Sequence, residues 1–162
     1  MRYVALLRGV NVGGTGMVKM AELRRVFESA GMASVSTYIN SGNVIFTSDM
    51  RDPRRLTVLL EEAMQRHFGF EVGLLLRDAF QLRAVVEAIP AHWTNDQSMR
   101  CDVFFLWPAV VWRVDRENLT KSGMLKLMGT PLYKKMTVRN CNTARKLLAL
   151  VEAAGAAEPA EA

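Results

Sequence analysis

The chain has 162 residues and a mass of 18.1 kDa, half of them hydrophobic and 23% charged, with a mean hydropathy of +0.06. That is material for one ordinary domain or two small ones sharing a core, and it excludes disorder along the whole length. No apolar run approaches the roughly 20 residues of a bilayer span. Met1–Leu7 is too short for a signal-peptide core, and Cys101 and Cys141 make no disulfide framework, so a reducing cytoplasm is the expected setting.

Tyr3–Arg8 reads as a strand that is apolar on both faces except at Arg8, the pattern of a central strand. Gly9–Val18 is a glycine-rich loop. A helix is expected next, with Met20, Leu23, Phe27 and Ala30 on one stripe, Val26 beside it and Gly31 at its stop. Ser34–Asn40 is expected as a strand with Val35, Thr37 and Ile39 on one face. Ser41-Gly42 suits a tight hairpin turn, and Asn43–Ser48 returns. Asp52 and Pro53 open a second helix, with Leu56, Leu59, Leu60, Ala63 and Met64 inward and Gly69 at its end. Phe70–Leu76 is expected as the next strand. The order β-α-β-β-α-β over 1–77 is that of a ferredoxin-like unit.

The second half, 78–152, reads as a further α+β unit. Asp78 caps a helix carrying Phe80, Leu82, Val85, Val86 and Ile89, which Pro90 stops. Ala91–Arg100 is a polar connection. Asp102–Trp107 and Val110–Val114 are strands, and Thr120–Met128 is read as helical, with Leu125 and Met128 inward. Thr130–Thr137 has no clear pattern. Asn142 or Thr143 caps a last helix with Ala144, Leu147, Leu148 and Val151 inward, and 153–162 is a frayed tail. Pro108-Ala109 cannot supply the positive φ of a two-residue hairpin turn. Either its flanking strands are not hairpin partners, or a connecting segment is missing.

Charge is uneven. From Arg113 to Lys146 nine cations face Asp115 and Glu117, a net +7, while the remainder carries 12 basic and 14 acidic residues. Such a stretch suits a phosphorylated small molecule, a nucleic acid or an acidic partner surface, or is simply a solvated face. Three hydrogen-bond-rich segments add candidates. Arg8, Asn11, Gly13 and Gly14 lie between a strand and a helix, where backbone N–H groups suit an anion. The loop is neither GxGxxG nor GxxxxGK[ST], so dinucleotide and P-loop chemistry are not licensed. Asn40, Ser41 and Asn43 form the hairpin apex. Lys121, Ser122, Arg139, Asn140 and Asn142 form the third set, with Arg139 suited to a bidentate grip on phosphate or carboxylate. Turn geometry and helix capping explain the same glycines and asparagines. His67 and His92 have no metal-ligand spacing, and no metal or cofactor is expected. The return strand Asn43–Thr47 has one aromatic, which is no RNA-stacking platform.

Three runs in the first half carry a resemblance: Tyr3 to Gly14, Met20 to Arg24 and Thr37 to Val44. Three more in the second half carry it too: Thr120–Gly123, Tyr133–Asn140 and Asn142–Leu147. Together they resemble the bacterial domain-of-unknown-function family numbered sixteen ninety-seven. The resemblance implies an α+β fold of two ferredoxin-related halves and brings no reaction with it. Members usually hold a longer segment between the strands ending at Trp107 and starting at Val110, which implies that the second ferredoxin-related half is incomplete here.

The leading expectation is a cytoplasmic module whose three segments together cup an anionic, phosphate-bearing ligand or a nucleic-acid backbone. One alternative is an enzyme on a phosphorylated substrate, with Lys121 and Arg139 stabilising charge and no catalytic base evident. The other is a protein-interaction module with no small-molecule ligand. No membrane partner is expected.

Overall fold

The computed structural model describes residues 1–11, 17–106, 110–121, 126 and 130–156. Among these residues it is a mixed α+β protein with two antiparallel sheets and four helices. Contacts divide it into two compact units, Met1–Gln81 with the segment from Ala149 onward, and Leu82–Leu148.

In the first unit β1 (Arg2–Leu7), β2 (Ala33–Tyr38), β3 (Asn43–Thr47) and β4 (Leu74–Asp78) form a sheet of order β2-β3-β1-β4. β1 lies between β3 and β4, as a strand apolar on both faces should. Its odd-numbered residues Tyr3, Ala5 and Leu7 join Val44 and Phe46 in one core with α1 (Met20–Ser29) and α2 (Pro53–Phe68). Tyr3 stacks on Phe46 at 5.7 Å, and Phe27 meets the same ring edge-on at 5.3 Å. Each such pair adds about 1 kcal/mol beyond the area buried.

The helix ends follow local chemistry. Asp52 Oδ1 accepts from the N–H groups of Arg54 and Arg55, and Gly69 closes α2 in the left-handed region at φ 77°. α1 ends with Gly31 at φ 88°. The Met32 N–H reaches back to the Phe27 carbonyl and the Gly31 N–H to that of Glu28.

Two strands differ from expectation. β4 runs from Leu74 to Asp78 rather than from Phe70 to Leu76. The chain joins the ladder with β1 only from Leu74 onward, opposite Leu7, and the polar pair Arg77-Asp78 continues it opposite Val4 and Tyr3. Arg77 is tolerated inside because its guanidinium donates to the Leu76 carbonyl at 2.8 Å. β2 loses its alternation where the register shifts between Ala33 and Ser36, with Ser34 at φ 50°. Ile39 is not a strand residue. It opens a four-residue turn, Ile39–Gly42, where a two-residue turn was expected.

α3 (Ala79–Glu87) follows β4 directly and is opened by a reciprocal cap, in which Asp78 Oδ1 accepts from the Gln81 N–H while Gln81 Oε1 accepts from the Asp78 N–H. Leu82 and Ile89 are buried, but Phe80 is 79% exposed. Two residues span about 200° on a helix, so Phe80 cannot share the face of Leu82. In the second unit β5 (Met99–Phe105) is central, flanked by β6 (Val110–Asp115) and β7 (Thr137–Asn140), all antiparallel. β5 and β6 are hairpin partners, Phe104 opposite Val110, which removes the first of the two alternatives for that junction. Residues 107–109 lie outside the described residues. Short 3-10 segments cover Arg116–Lys121 and Tyr133–Lys135. Most of the helix expected over 120–128 lies outside the described residues.

Thr137–Asn140 form a strand, with Thr137 and Arg139 buried in alternation. The last helix, α4 (Cys141–Ala156), is capped by Asn140, whose Oδ1 accepts from the Thr143 N–H at 2.8 Å, rather than by Asn142 or Thr143. Ala144, Leu147 and Val151 form its fully buried side.

Candidate functional site

At one end of the first sheet the β1–α1 loop meets the β2–β3 apex. Leu7 donates its N–H to the Gly42 carbonyl at 2.8 Å. Gly9 (φ 69°), Asn11 (56°), Ile39 (49°) and Gly42 (72°) are all left-handed. Gly42 has a steric reason as well. A Cβ there would lie 2.6 Å from Val10 Cγ2 and 2.7 Å from Leu7 Cβ.

One carboxamide ties the two loops. Asn11 Nδ2 donates to the Val18 carbonyl at 2.9 Å and to the Asn40 carbonyl at 2.8 Å, while Oδ1 accepts from the Val18 N–H at 2.8 Å. Both amide hydrogens of Asn11 are thus spent on backbone. Asn43, wholly buried, donates to the Tyr38 carbonyl and to Ser41 Oγ, closing the apex from within. What this platform presents to solvent is Arg8, the Asn40 side chain, Ile39 (49% exposed) and Met17 (73% exposed). The start of α1 lies beside it, and Lys19 gives the helix no side-chain cap. First-turn N–H groups left in this way favour anions.

The arginines of the basic segment are occupied with the fold of the second unit. Arg145 donates to the carbonyls of Trp93 (2.7 Å) and Pro90 (3.0 Å), and Arg116 to that of Asp96. Asn142 donates to the Asn95 carbonyl at 3.0 Å. Arg113 pairs with Asp115 at 2.6 Å and lies over the Trp93 ring at 5.8 Å. These groups stitch down the polar connection before β5. Within it, Asp96 accepts from the hydroxyls of Thr94 and Ser98 and from the N–H groups of Ser98 and Met99. These bonds hold its carboxyl well below the usual range. Arg139 is buried, with its guanidinium on Thr137 Oγ1 and the Val138 carbonyl, each at 2.8 Å, and burial pulls its pKa down to about 10.

The residues expected as one site thus fall into two sets. Arg8, Asn11, Asn40, Ser41 and Asn43 come together in the first unit; Arg139, Asn140 and Asn142 belong to the second. Gly13, Gly14 and Ser122 lie outside the described residues, as does the side chain of Lys121. Sequence reasoning missed Ile39 and Met17, which read as a strand residue and a loop hydrophobe. It also missed that Cys101 and Cys141 are neighbours, both fully buried. Burial, together with the adjacent Cys141, pushes the Cys101 thiol up to about 12. Among the described residues no three His, Cys, Asp or Glu side chains gather as a metal site. No helix among them is long and apolar enough to cross a membrane.

The fold defines a class, a two-unit α+β protein whose first unit joins two hydrogen-bonded loops at one end of its sheet. Residues 1–124 match the family model described as a protein of unknown function (DUF1697), and the chain belongs to that family. The C-terminal motifs from Tyr133 onward lie past the matched residues. A solved structure, the conserved bacterial protein SP0830 from Streptococcus pneumoniae, is similar at 30% identity. The match covers 93% of this chain and 98% of that one, with a TM-score of 0.80. No curated protein matches the chain.

Proposed function

We propose that the chain is a cytoplasmic module that binds a phosphate-bearing anion on the loop platform of its first unit. The observation that carries this reading is the clustering of Gly9, Asn11, Ile39 and Gly42, all left-handed, in two loops held together by one asparagine side chain. The two glycines adopt this conformation freely and Asn11 tolerates it, so the strain lies at Ile39, and strained residues gather at ligand sites. Arg8 supplies an exposed guanidinium with no ion pair among the described residues, and the uncapped start of α1 adds N–H donors. In the fold reading that accompanies this, the first unit is ferredoxin-like. Its sheet order β2-β3-β1-β4 and its two helices on one shared core support that reading. The three-stranded second unit is a shortened relative of it. The cytoplasmic setting rests on the two free, buried thiols.

The test is a thermal-shift screen of phosphorylated metabolites on the full chain, repeated with Arg8→Ala. Binding should raise the melting temperature with ligand concentration, and the substitution should abolish the rise while leaving the unliganded melting temperature unchanged. A nucleic-acid backbone as the ligand would show affinity falling steeply with salt. No shift with any phosphorylated compound or oligonucleotide would remove the reading.

A further inference from the structure

We infer that a second copy of this chain docks on the groove between α1 and α2, in a two-fold dimer where the outer ridge of α2 from each copy lies in the groove of the other. The groove is a concavity of about 500 Å³ between the two helices. Its floor is made of Ala30, Leu59 and Ala63, half-buried and packed on the core of the first unit. Alanine at two of these positions leaves space between the helices unfilled. Among the described residues, every ionisable side chain lining the groove is basic: Arg25, Arg66 and His67. The other flank of α2 has the opposite sign. There Glu61, Glu62 and Glu71 border a second concavity of about 370 Å³, with no basic side chain among the described residues that line it.

Most of these charges are left over by the fold. Elsewhere on the two helices Lys19 pairs with Glu22 at 3.7 Å, Arg24 with Glu28 at 2.7 Å and Arg55 with Asp52 at 3.6 Å. Arg25, Arg66, Glu62 and Glu71 make no ion pair among the described residues. Glu62 and Arg66 have the i,i+4 spacing that pairs on a helix surface. Instead Arg66 Nε donates to the Glu62 carbonyl at 3.3 Å, and the two side chains line opposite flanks. Glu62 and Ala63 lie about 100° apart around α2, so the acidic ridge and the basic groove are neighbours. One two-fold axis beside α2 therefore satisfies both surfaces at once, with Glu62 of each copy meeting Arg25 of the other. Val58, one turn before Glu62 and 54% exposed, brings an apolar side chain to the alanine-lined floor. An inorganic anion would use the arginines and leave Val58 and that floor wet. A second copy covers all of them, and its own sequence supplies the complementary charges.

The experiment is analytical ultracentrifugation of the full chain across a concentration series, repeated with Arg25→Glu and with Glu62→Arg. The wild type should dimerise, and each reversal should weaken the dimer by at least about tenfold. Both side chains are exposed, so each variant should keep its fold by circular dichroism. Mixed in equal amounts, the two variants should recover the dimer, because each supplies the sign the other lacks. Mixing does not repair a folding defect. A wild type that stays monomeric across the series overturns the inference. So does a dimer that both reversals leave intact, or one that mixing does not restore. A monomer that binds a glutamate-rich helical peptide, and loses it with Arg25→Glu, assigns the groove to a separate acidic partner and overturns the second copy. None of these outcomes touches the anion reading, whose groups lie on the β1–α1 and β2–β3 loops.

Discussion

Replacing Asn11 tests the platform at its centre. Asn11→Ala removes three hydrogen bonds, two of them partly buried, and places a Cβ-bearing residue at φ 56° without a side chain to compensate. Each bond contributes about 0.5–1.5 kcal/mol net, less for the exposed one, so the staple is worth about 2 kcal/mol. The left-handed alanine adds about 1 kcal/mol. The variant should lose about 3 kcal/mol in urea unfolding, a fall of roughly 6–12 °C in melting temperature for a chain of this size. Asn11→Gly separates the two contributions, because glycine accepts the backbone angle while losing the staple. It should sit about 1 kcal/mol above the alanine variant. Amide exchange gives a local readout, since the Val18 N–H should lose protection in both variants. An alanine variant within about 0.5 kcal/mol of the wild type would refute the staple. A glycine variant as unstable as the alanine one would refute the backbone argument.

Glycine positions should differ sharply from one another. Gly42→Ala brings a Cβ within 2.7 Å of two core side chains and should cost roughly 2–4 kcal/mol in chemical denaturation, whereas Gly69→Ala, with open space around it, should cost only about 1. Asp52→Ala should lower stability by about 1 kcal/mol through loss of the α2 cap, with Asp52→Asn recovering most of it. Phe80→Ser should change stability by less than about 0.5 kcal/mol, because the ring buries little, and a larger loss in the same assay would contradict its exposure. Cys101, its thiol pushed up to about 12, should resist alkylation in the native protein at pH 8 and react once urea unfolds the chain. Peptide mapping would detect the opposite order.

Elements whose limits are set by local chemistry are readable from the residues alone. Asp52, Pro53 and Gly69 bracket α2 without reference to anything distant, and the two-faced apolar run of β1 announces a central strand. β7 is hidden because its reading depends on a partner. Arg139 and Asn140 look like loop residues until Val103 and Asp102 are placed opposite them. The β4 shift has the same origin, since the polar Arg77-Asp78 continues a ladder that only β1 defines. At the platform the amide-rich segments are legible, but the use of the amides is not. A sequence shows that Asn11 can make hydrogen bonds; it does not show that the backbone of Val18 and Asn40 will claim them. Likewise the +7 run reads as an open cationic surface, although two of its guanidinium groups, those of Arg116 and Arg145, are held by carbonyls before β5.

α4 begins in the second unit, yet its residues from Ala149 onward group with the first, and Arg2 donates to the carbonyls of Val151 (2.7 Å) and Glu152 (3.0 Å). β1 is therefore made well before the turn of helix that docks on it, with the whole of the second unit translated in between. Until then the first unit stays unfinished, its sheet made but one of its docking partners not.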